Sequence, residues 1–287
     1  MSNFSGDLAL LVSAGARAYA RESYLPSSFL SVARDVAAVC GVAGIAFLGR
    51  RLFRRVRRAR SGSGDKAAPH AAGRTEEKAV VEAFHRLYYD SQVWSGTYWL
   101  GFPTLKCPLD LWVYQEIIRE VKPNLIVETG TAHGGSALFL ACMCDLVGLG
   151  KVITIDIEEK PGRPAHDRIT YLLGPSTSDE IVRRVVQAIG DGDRVMVILD
   201  SDHRRDHVLA ELVVYSKLVT PGSYLIVEDT NIGHPVQPEL VPGPREAVQE
   251  FLAANPDFVA DGAREKFHLT FNPSGYLKKA ESGGLQP

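Results

Sequence analysis

The stretch Asn124–Ser136, NLIVETGTAHGGS, decides the fold. Its first five residues form a short apolar run closed by an acid, Glu128, which reads as a buried parallel strand. A glycine-rich turn follows, and a helix is predicted over Gly134–Leu146. Outward from this unit the alternation repeats. Strands are predicted at Lys151–Asp156, Ile169–Leu173, Arg194–Asp200 and Ser223–Glu228, with helices at Ser178–Ile189, His203–Leu218 and Arg245–Ala254. Short strands near Phe267–Phe271 and Gly275–Lys278 close the order. Upstream lie helices over Thr75–Tyr89, with Val80, Val81, Phe84 and Leu87 on one face, and over Leu109–Val121. An aromatic segment, Trp94 through Phe102, separates them. Repeated βα units of this length predict an α/β, doubly wound, Rossmann-like sheet with helices on both faces. In such sheets ligands bind beyond the carboxyl ends of the strands. Four runs end there in an acid: Glu128, Asp156, Asp200 and Glu228.

The first turn suits a nucleotide-like ligand. Gly130 allows a tight turn, and Gly134 and Gly135 allow close approach of the backbone to a ligand or to the sheet. Amides at the helix start and the Ser136 hydroxyl can hold a carboxylate or phosphate. Asp156 ends the next strand, where an acid accepts bonds from ribose hydroxyls. A dinucleotide and S-adenosylmethionine both fit this pattern. The third strand runs into Gly174-Pro175-Ser176-Thr177, a polar turn suited to an adenine edge; Ser176 could equally cap the following helix.

A second constellation closes the fourth and fifth strands, Asp200-Ser201-Asp202-His203 and Glu228-Asp229-Thr230-Asn231. Neighbouring parallel strands bring these ends together. Hard carboxylate oxygens suit Mg²⁺ better than zinc, and Asp200, Glu228 and Asp229, if uncompensated, repel one another strongly enough to call for a divalent cation. His203 stands where it can face the metal and take a proton from a substrate hydroxyl. His133 reads as a packing or cofactor contact, and His207 and His234 as weaker pocket-lining candidates. Whether Asp202 also serves the metal is left open.

Composition bounds the rest. Of 287 residues, 45% are hydrophobic and 23% charged, which excludes wholesale disorder and a multi-span membrane protein. Four scattered cysteines do not make a disulfide scaffold and fit a reducing, cytoplasmic setting. The net charge of −2 hides an asymmetry, since residues 1–60 carry +7 and the remainder −9. An acidic body is a poor nucleic-acid binder. Residues 1–60 form an N-terminal arm, 61–74 a linker and 75–287 the catalytic domain. Within the arm, Phe29–Gly49 is 21 residues long, enough to span a bilayer, and seven arginines follow within Arg50–Arg60. Nine Phe, Leu, Ile and Val residues at roughly −0.4 kcal/mol each nearly balance Arg34 and Asp35 at about +2.5 kcal/mol each. The arginine flank tips the reading toward membrane association through residues 29–60, with the body on the cytoplasmic side.

Several runs resemble the cephalosporin hydroxylase family. They are TYWLGFPTLKCPLDLWVYQEIIREVKPNLIVETGTAHGGSALFLA (Thr97–Ala141), LLGPSTSDEI, VILDSDHRRDHV and PGSYLIVEDT. That family has the S-adenosylmethionine methyltransferase fold and includes mycobacterial rhamnosyl O-methyltransferases. The resemblance spans roughly Phe84–Leu277. Metal-dependent macrolide sugar O-methyltransferases and catechol O-methyltransferase look similar at the same places. By motif, the resemblance implies Glu128, Gly130 and Ser136 at the methionine end of the cofactor, Asp156 at the ribose, and Ser176 and Thr177 by the adenine. It implies Asp200, Glu228 and Asp229 as metal ligands, with Asp200 and His203 catalytic and His203 the general base. The catechol enzyme has lysine where His203 stands and the sugar enzymes have histidine, which favours a sugar alcohol over a phenol.

The expected function is therefore an S-adenosylmethionine- and Mg²⁺- (or Mn²⁺-) dependent O-methyltransferase acting on a sugar, glycolipid or related natural product. A homo-oligomer is compatible with the chain. Three rivals stand beside this reading: a hydroxylase or hydroxylase partner, a non-catalytic binding module of the same fold, and an NAD-binding oxidoreductase. No spaced two-histidine, one-carboxylate iron set is apparent, and the acid cluster disfavours the oxidoreductase.

Overall fold

In the computed structural model, which describes residues 71–281, the chain runs through α1 (Ala71–Asp90), β1 (Tyr98–Trp99), β2 (Phe102–Pro103), α2 (Pro108–Val121), β3 (Leu125–Thr129), α3 (Gly135–Val147), β4 (Lys151–Asp156), β5 (Ile169–Leu173), α4 (Asp179–Gln187), β6 (Val195–Leu199), α5 (Arg205–Tyr215), β7 (Tyr224–Val227), α6 (Pro244–Ala254), β8 (Phe258–Ala260) and β9 (Tyr276–Lys279). The arm, with Phe29–Gly49 and the arginine cluster, lies outside the described residues, as does the linker up to residue 70. No helix among the described residues is long and apolar enough to cross a membrane.

Seven strands form the main sheet in the order β5-β4-β3-β6-β7-β9-β8. β3 to β7 are parallel, and β9 lies antiparallel between β7 and β8. All five residues of β3 and all five of β6 are buried, because helices cover both faces. Successive residues point to opposite faces and divide the core. Val127, Val197, Leu225 and Val227 pack with Ile181 and Val185 of α4, Leu212 and Tyr215 of α5, and Phe251 of α6. Ile126, Val152, Met196 and Ile226 pack against Tyr114, Ile117 and Ile118 of α2 and Phe139 and Leu140 of α3. The order reverses at β3, which pairs with β4 on one side and β6 on the other. This switch point opens a crevice at the carboxyl ends of β3 and β6, where open α/β sheets bind their ligands.

The structure departs from the sequence reading in three places. α1 begins at Ala71 and takes four residues from the expected linker, since alanine and arginine are strong helix formers. Its expected apolar face is turned outward: Val80, Phe84 and Leu87 are 68%, 51% and 66% exposed. The helix docks instead through rings, with His85, Tyr88 and Tyr89 each about 6 Å from Phe271, centroid to centroid. The third departure is Phe267–Phe271, which is no strand. Its backbone is claimed by Asp110 of α2, which accepts from Phe271 N at 2.8 Å and from the Thr270 hydroxyl at 2.5 Å. In the main sheet the unexpected strand is β8, three residues with only Phe258 buried, too short to show a period; β1 and β2 form a separate two-stranded sheet within and just beyond the aromatic segment.

Candidate active site

Gly130, the residue after β3, has φ 86° and packs so closely on the chain leaving β6 that a Cβ would lie 1.7 Å from the Asp200 carbonyl oxygen. Only glycine holds the two strand ends this close. Gly135 answers to packing rather than to a ligand, because a Cβ there would meet the Pro103 carbonyl at 2.3 Å. Beyond Gly130 the backbone turns through Ala132, whose N–H donates to Asp156 Oδ2 at 2.8 Å. Glu158 N–H and the Arg163 guanidinium also donate to the Asp156 carboxylate, at 3.0 and 3.2 Å. A carboxylate has about four acceptor positions, so a further bond from a ribose hydroxyl remains open.

These residues edge a cavity of about 330 Å³, whose wall includes Gly130, Ser136, Asp156, Ser176, Asp200 and His207. The helix cap is Ser178, whose Oγ accepts from Ile181 N. Ser176 is thereby left to the cavity, its carbonyl held by the Tyr215 hydroxyl at 2.6 Å. Thr177 is half-buried and lies outside the wall, and Glu128 is buried behind it. The Glu128 carboxylate takes a bond from Thr154 at 2.7 Å and keeps Oε1 without a partner. Burial pushes this carboxyl up and the Lys106 ammonium opposes it. His133 also lines the cavity. His207 is braced by Ser201 and by Glu211, a fully buried acid that the sequence reading missed.

The acid centre holds a group that the sequence reading also missed. Lys106, from the segment before α2, is buried, and its ammonium bridges Asp200 and Glu228, the Glu228 contact being 2.6 Å. Burial alone would push this amine down; Asp200, Glu228 and Glu128 more than offset that and hold it well above its usual range. The lysine changes the charge balance at the three expected ligands, Asp200, Glu228 and Asp229. The carboxylates are not uncompensated, and Glu228 is engaged by the lysine. The residues brought together are Asp200, His203 and Asp229, each with one ligand atom within 4.8 Å of the others. Glu228 stands outside that group.

One ammonium among three carboxylates still leaves a negative excess. Burial, more than any other influence, pushes the Asp229 carboxyl up, the neighbouring His203 opposes this, and Asp200 adds to it. Asp229 also sits at φ 54°, a left-handed conformation that non-glycine residues seldom adopt and that clusters at functional sites. Its Oδ2 is 3.3 Å from His203 Nε2. Hard oxygens, a nearby imidazole and an unneutralised charge are a donor set that fits a divalent cation. His203 lies in the loop before α5 rather than on the helix, because Asp202 takes the Arg204 backbone N–H at 2.8 Å and its guanidinium as well. Asp202 is thus occupied and does not join the cluster. His234 faces elsewhere, bonded to Glu246 at 2.7 Å.

Residues 91–280 match the sequence profile of the family described as Rhamnosyl O-methyltransferase/CmcI. The chain belongs to the rhamnosyl O-methyltransferase/CmcI family. The rhamnosyl O-methyltransferase of Mycobacterium leprae (strain TN) is 40% identical over 206 residues, covering 69% of this chain and 90% of that protein. The protein of the same name from Mycobacterium tuberculosis (strain ATCC 25618 / H37Rv) is 39% identical over 207 residues, covering 69% and 84%. Among solved structures, "cmcI-D160 Mg-SAM" aligns with TM-score 0.48 and 20% identity over 65% of this chain and 77% of that one. This member of the rhamnosyl O-methyltransferase/CmcI family is an S-adenosylmethionine-dependent O-methyltransferase, which sets aside the hydroxylase, the oxidoreductase and the non-catalytic module.

Proposed function

We propose that the protein methylates a hydroxyl of a sugar, a rhamnosyl unit of a glycolipid or related natural product, with His203 as general base and Asp200, Glu228 and Asp229 as the acids that hold Mg²⁺ or Mn²⁺. The observation that carries this reading is the double role of Asp200, which lines the cavity behind Gly130 and also belongs to the cluster with His203 and Asp229. Donor and base sites therefore abut.

Bound S-adenosylmethionine supplies an activated methyl group, and a bound divalent cation supplies charge that lowers the pKa of the acceptor hydroxyl. The chain's residues do the rest. His203 takes the proton, on the ring nitrogen that Asp229 does not hold, as the sugar O–H breaks, and Asp229 at Nε2 stabilises the imidazolium. The sugar oxygen bonds to the methyl carbon as the carbon–sulfur bond breaks, leaving neutral S-adenosylhomocysteine. Lys106 fixes Asp200 from behind, Glu228 balances Lys106, and Asp156 and Ser176 face the ribose and adenine ends. Glu128, buried near Ser136, is the acid assigned to the methionine end.

Methyl transfer to a rhamnoside should cease in chelator and return with Mg²⁺ or Mn²⁺. Mn²⁺ binding, followed by its electron paramagnetic resonance signal without any turnover, should be lost in Asp229→Ala. Full activity in chelator together with unchanged Mn²⁺ binding in the variant would reject the metal role.

A further inference from the structure

The chain follows the main sheet as far as Glu228, whose N–H donates to Leu199 O at 2.9 Å. Continued as a strand, the next side chain would point to the opposite face. Instead Asp229 takes φ 54°, and its carboxylate joins Asp200 and His203. A left-handed aspartate persists only where its surroundings over-determine it. Here the surroundings are the loop before β9. Three consecutive residues leaving β7 bond to that loop. Asp229 N–H donates to Asn272 Oδ1 at 3.1 Å, the Thr230 hydroxyl to Pro273 O at 2.7 Å, and Asn231 N–H to Phe271 O at 3.0 Å. Of these three bonds, only the first uses a side chain of the loop, and it is the one that reaches Asp229. A substitution can therefore remove it and leave the other two in place.

Asn272 is wholly buried. Its amide can face only one way. A backbone N–H can only donate, so the oxygen must meet Asp229, and Nδ2 turns to two hydroxyls. It donates to Tyr114 Oη at 2.9 Å and reaches Tyr276 Oη at 3.5 Å. Tyr276 in turn donates to Asp110 Oδ1 at 2.8 Å, which ties the amide to α2. Asparagine is the residue type that this place requires. Aspartate would bring a further carboxylate next to Asp229, and leucine, of similar shape, would take away the acceptor of the Asp229 N–H.

We propose that Asn272 is the positioning residue of the cation site: its side-chain oxygen holds the Asp229 backbone left-handed and so keeps the Asp229 carboxylate with Asp200 and His203. The inference rests on the cation role proposed above for Asp229 and extends that site to a residue 43 positions away in sequence.

The test uses the full-length protein with Asn272→Leu and Tyr114→Phe, and reads Mn²⁺ binding by electron paramagnetic resonance without any turnover. Asn272→Leu keeps the volume and removes the acceptor; Tyr114→Phe keeps the ring and releases the amide. Mn²⁺ affinity should fall about 10–100-fold in Asn272→Leu, the usual cost of losing a partner that orients a metal ligand, and several-fold in Tyr114→Phe. Calorimetric affinity for S-adenosylhomocysteine should stay unchanged in both, since neither residue lines the cavity behind Gly130, and this also reports that they fold. A purely structural role would lower the melting temperature and leave both affinities alone. A crystal structure of Asn272→Leu in chelator should show Asp229 outside the left-handed region, with its carboxylate withdrawn from His203. Wild-type Mn²⁺ affinity in Asn272→Leu, or in Tyr114→Phe where the leucine variant does not fold, would overturn the proposal and leave the cation site standing. Mn²⁺ binding that survives Asp229→Ala would reject the cation reading instead. The crystal structure then decides for Asn272, and an unmoved Asp229 would overturn the positioning role as well.

Discussion

Replacing Lys106 by methionine is expected to destabilise the domain by about 3–5 kcal/mol, the usual consequence of removing one partner from a buried ion pair. Methionine keeps most of the stem but loses the ammonium that lies between Asp200 and Glu228. A buried carboxylate, Glu228, and a half-buried one, Asp200, then face each other, with Asp229 close by. For a domain of this size the loss corresponds to a fall in melting temperature on the order of 6–20 °C. Calorimetric melting in chelator measures it. Added Mg²⁺ should recover part of the loss, since a ligand that binds only the folded state stabilises it. A variant that melts with the wild type in chelator would show that the carboxylates do not need the lysine.

The second large effect is on turnover. His203→Ala should reduce kcat by about 10²–10⁴-fold, the ordinary contribution of a positioned general base. Affinity for S-adenosylhomocysteine should change little, because His203 pairs with Asp229 and is absent from the cavity wall behind Gly130. Asp229 remains in the variant, so Mn²⁺ binding should persist with reduced strength. Near-normal turnover would place the base elsewhere.

Much of this arrangement was legible in the chain because parallel strands buried on both faces leave an unbroken apolar signal. Lys151–Asp156 and Ile169–Leu173 emerge with the bounds read from sequence, and β3, β6 and β7 within a residue or two. The acids at their ends were legible for the same reason: a strand that stops at Asp200 or Glu228 must deliver that side chain to the crevice. Lys106 was not legible. It sits in no periodic element, and its burial depends on carboxylates from three strands that only the folded sheet assembles. The expectation of uncompensated carboxylates failed with it, since the Lys106 ammonium lies between Asp200 and Glu228. α1 misled for a different reason. Val80, Phe84 and Leu87 share a helical face, but the docking energy lies in ring contacts with Phe271, a residue distant in sequence. Phe267–Phe271 likewise has the composition of a strand, and the buried carboxylate of Asp110 supplies its backbone with a partner that no local pattern announces.

The central claim is that the Asp200–His203–Asp229 end of the sheet directs a methyl group from S-adenosylmethionine onto a sugar oxygen. Its most direct measurement is incubation of the full-length protein with methyl-deuterated S-adenosylmethionine, Mg²⁺ and the methyl glycoside of a rhamnosyl-rhamnose disaccharide, with mass spectrometry and NMR of the product. The account predicts a single CD₃ group attached through oxygen to one ring carbon, formed by the wild type and reduced at least a hundredfold in His203→Ala, the lower end of the range for a general base. A disaccharide that gains oxygen instead of CD₃, or gains CD₃ equally with wild type and variant, would contradict it.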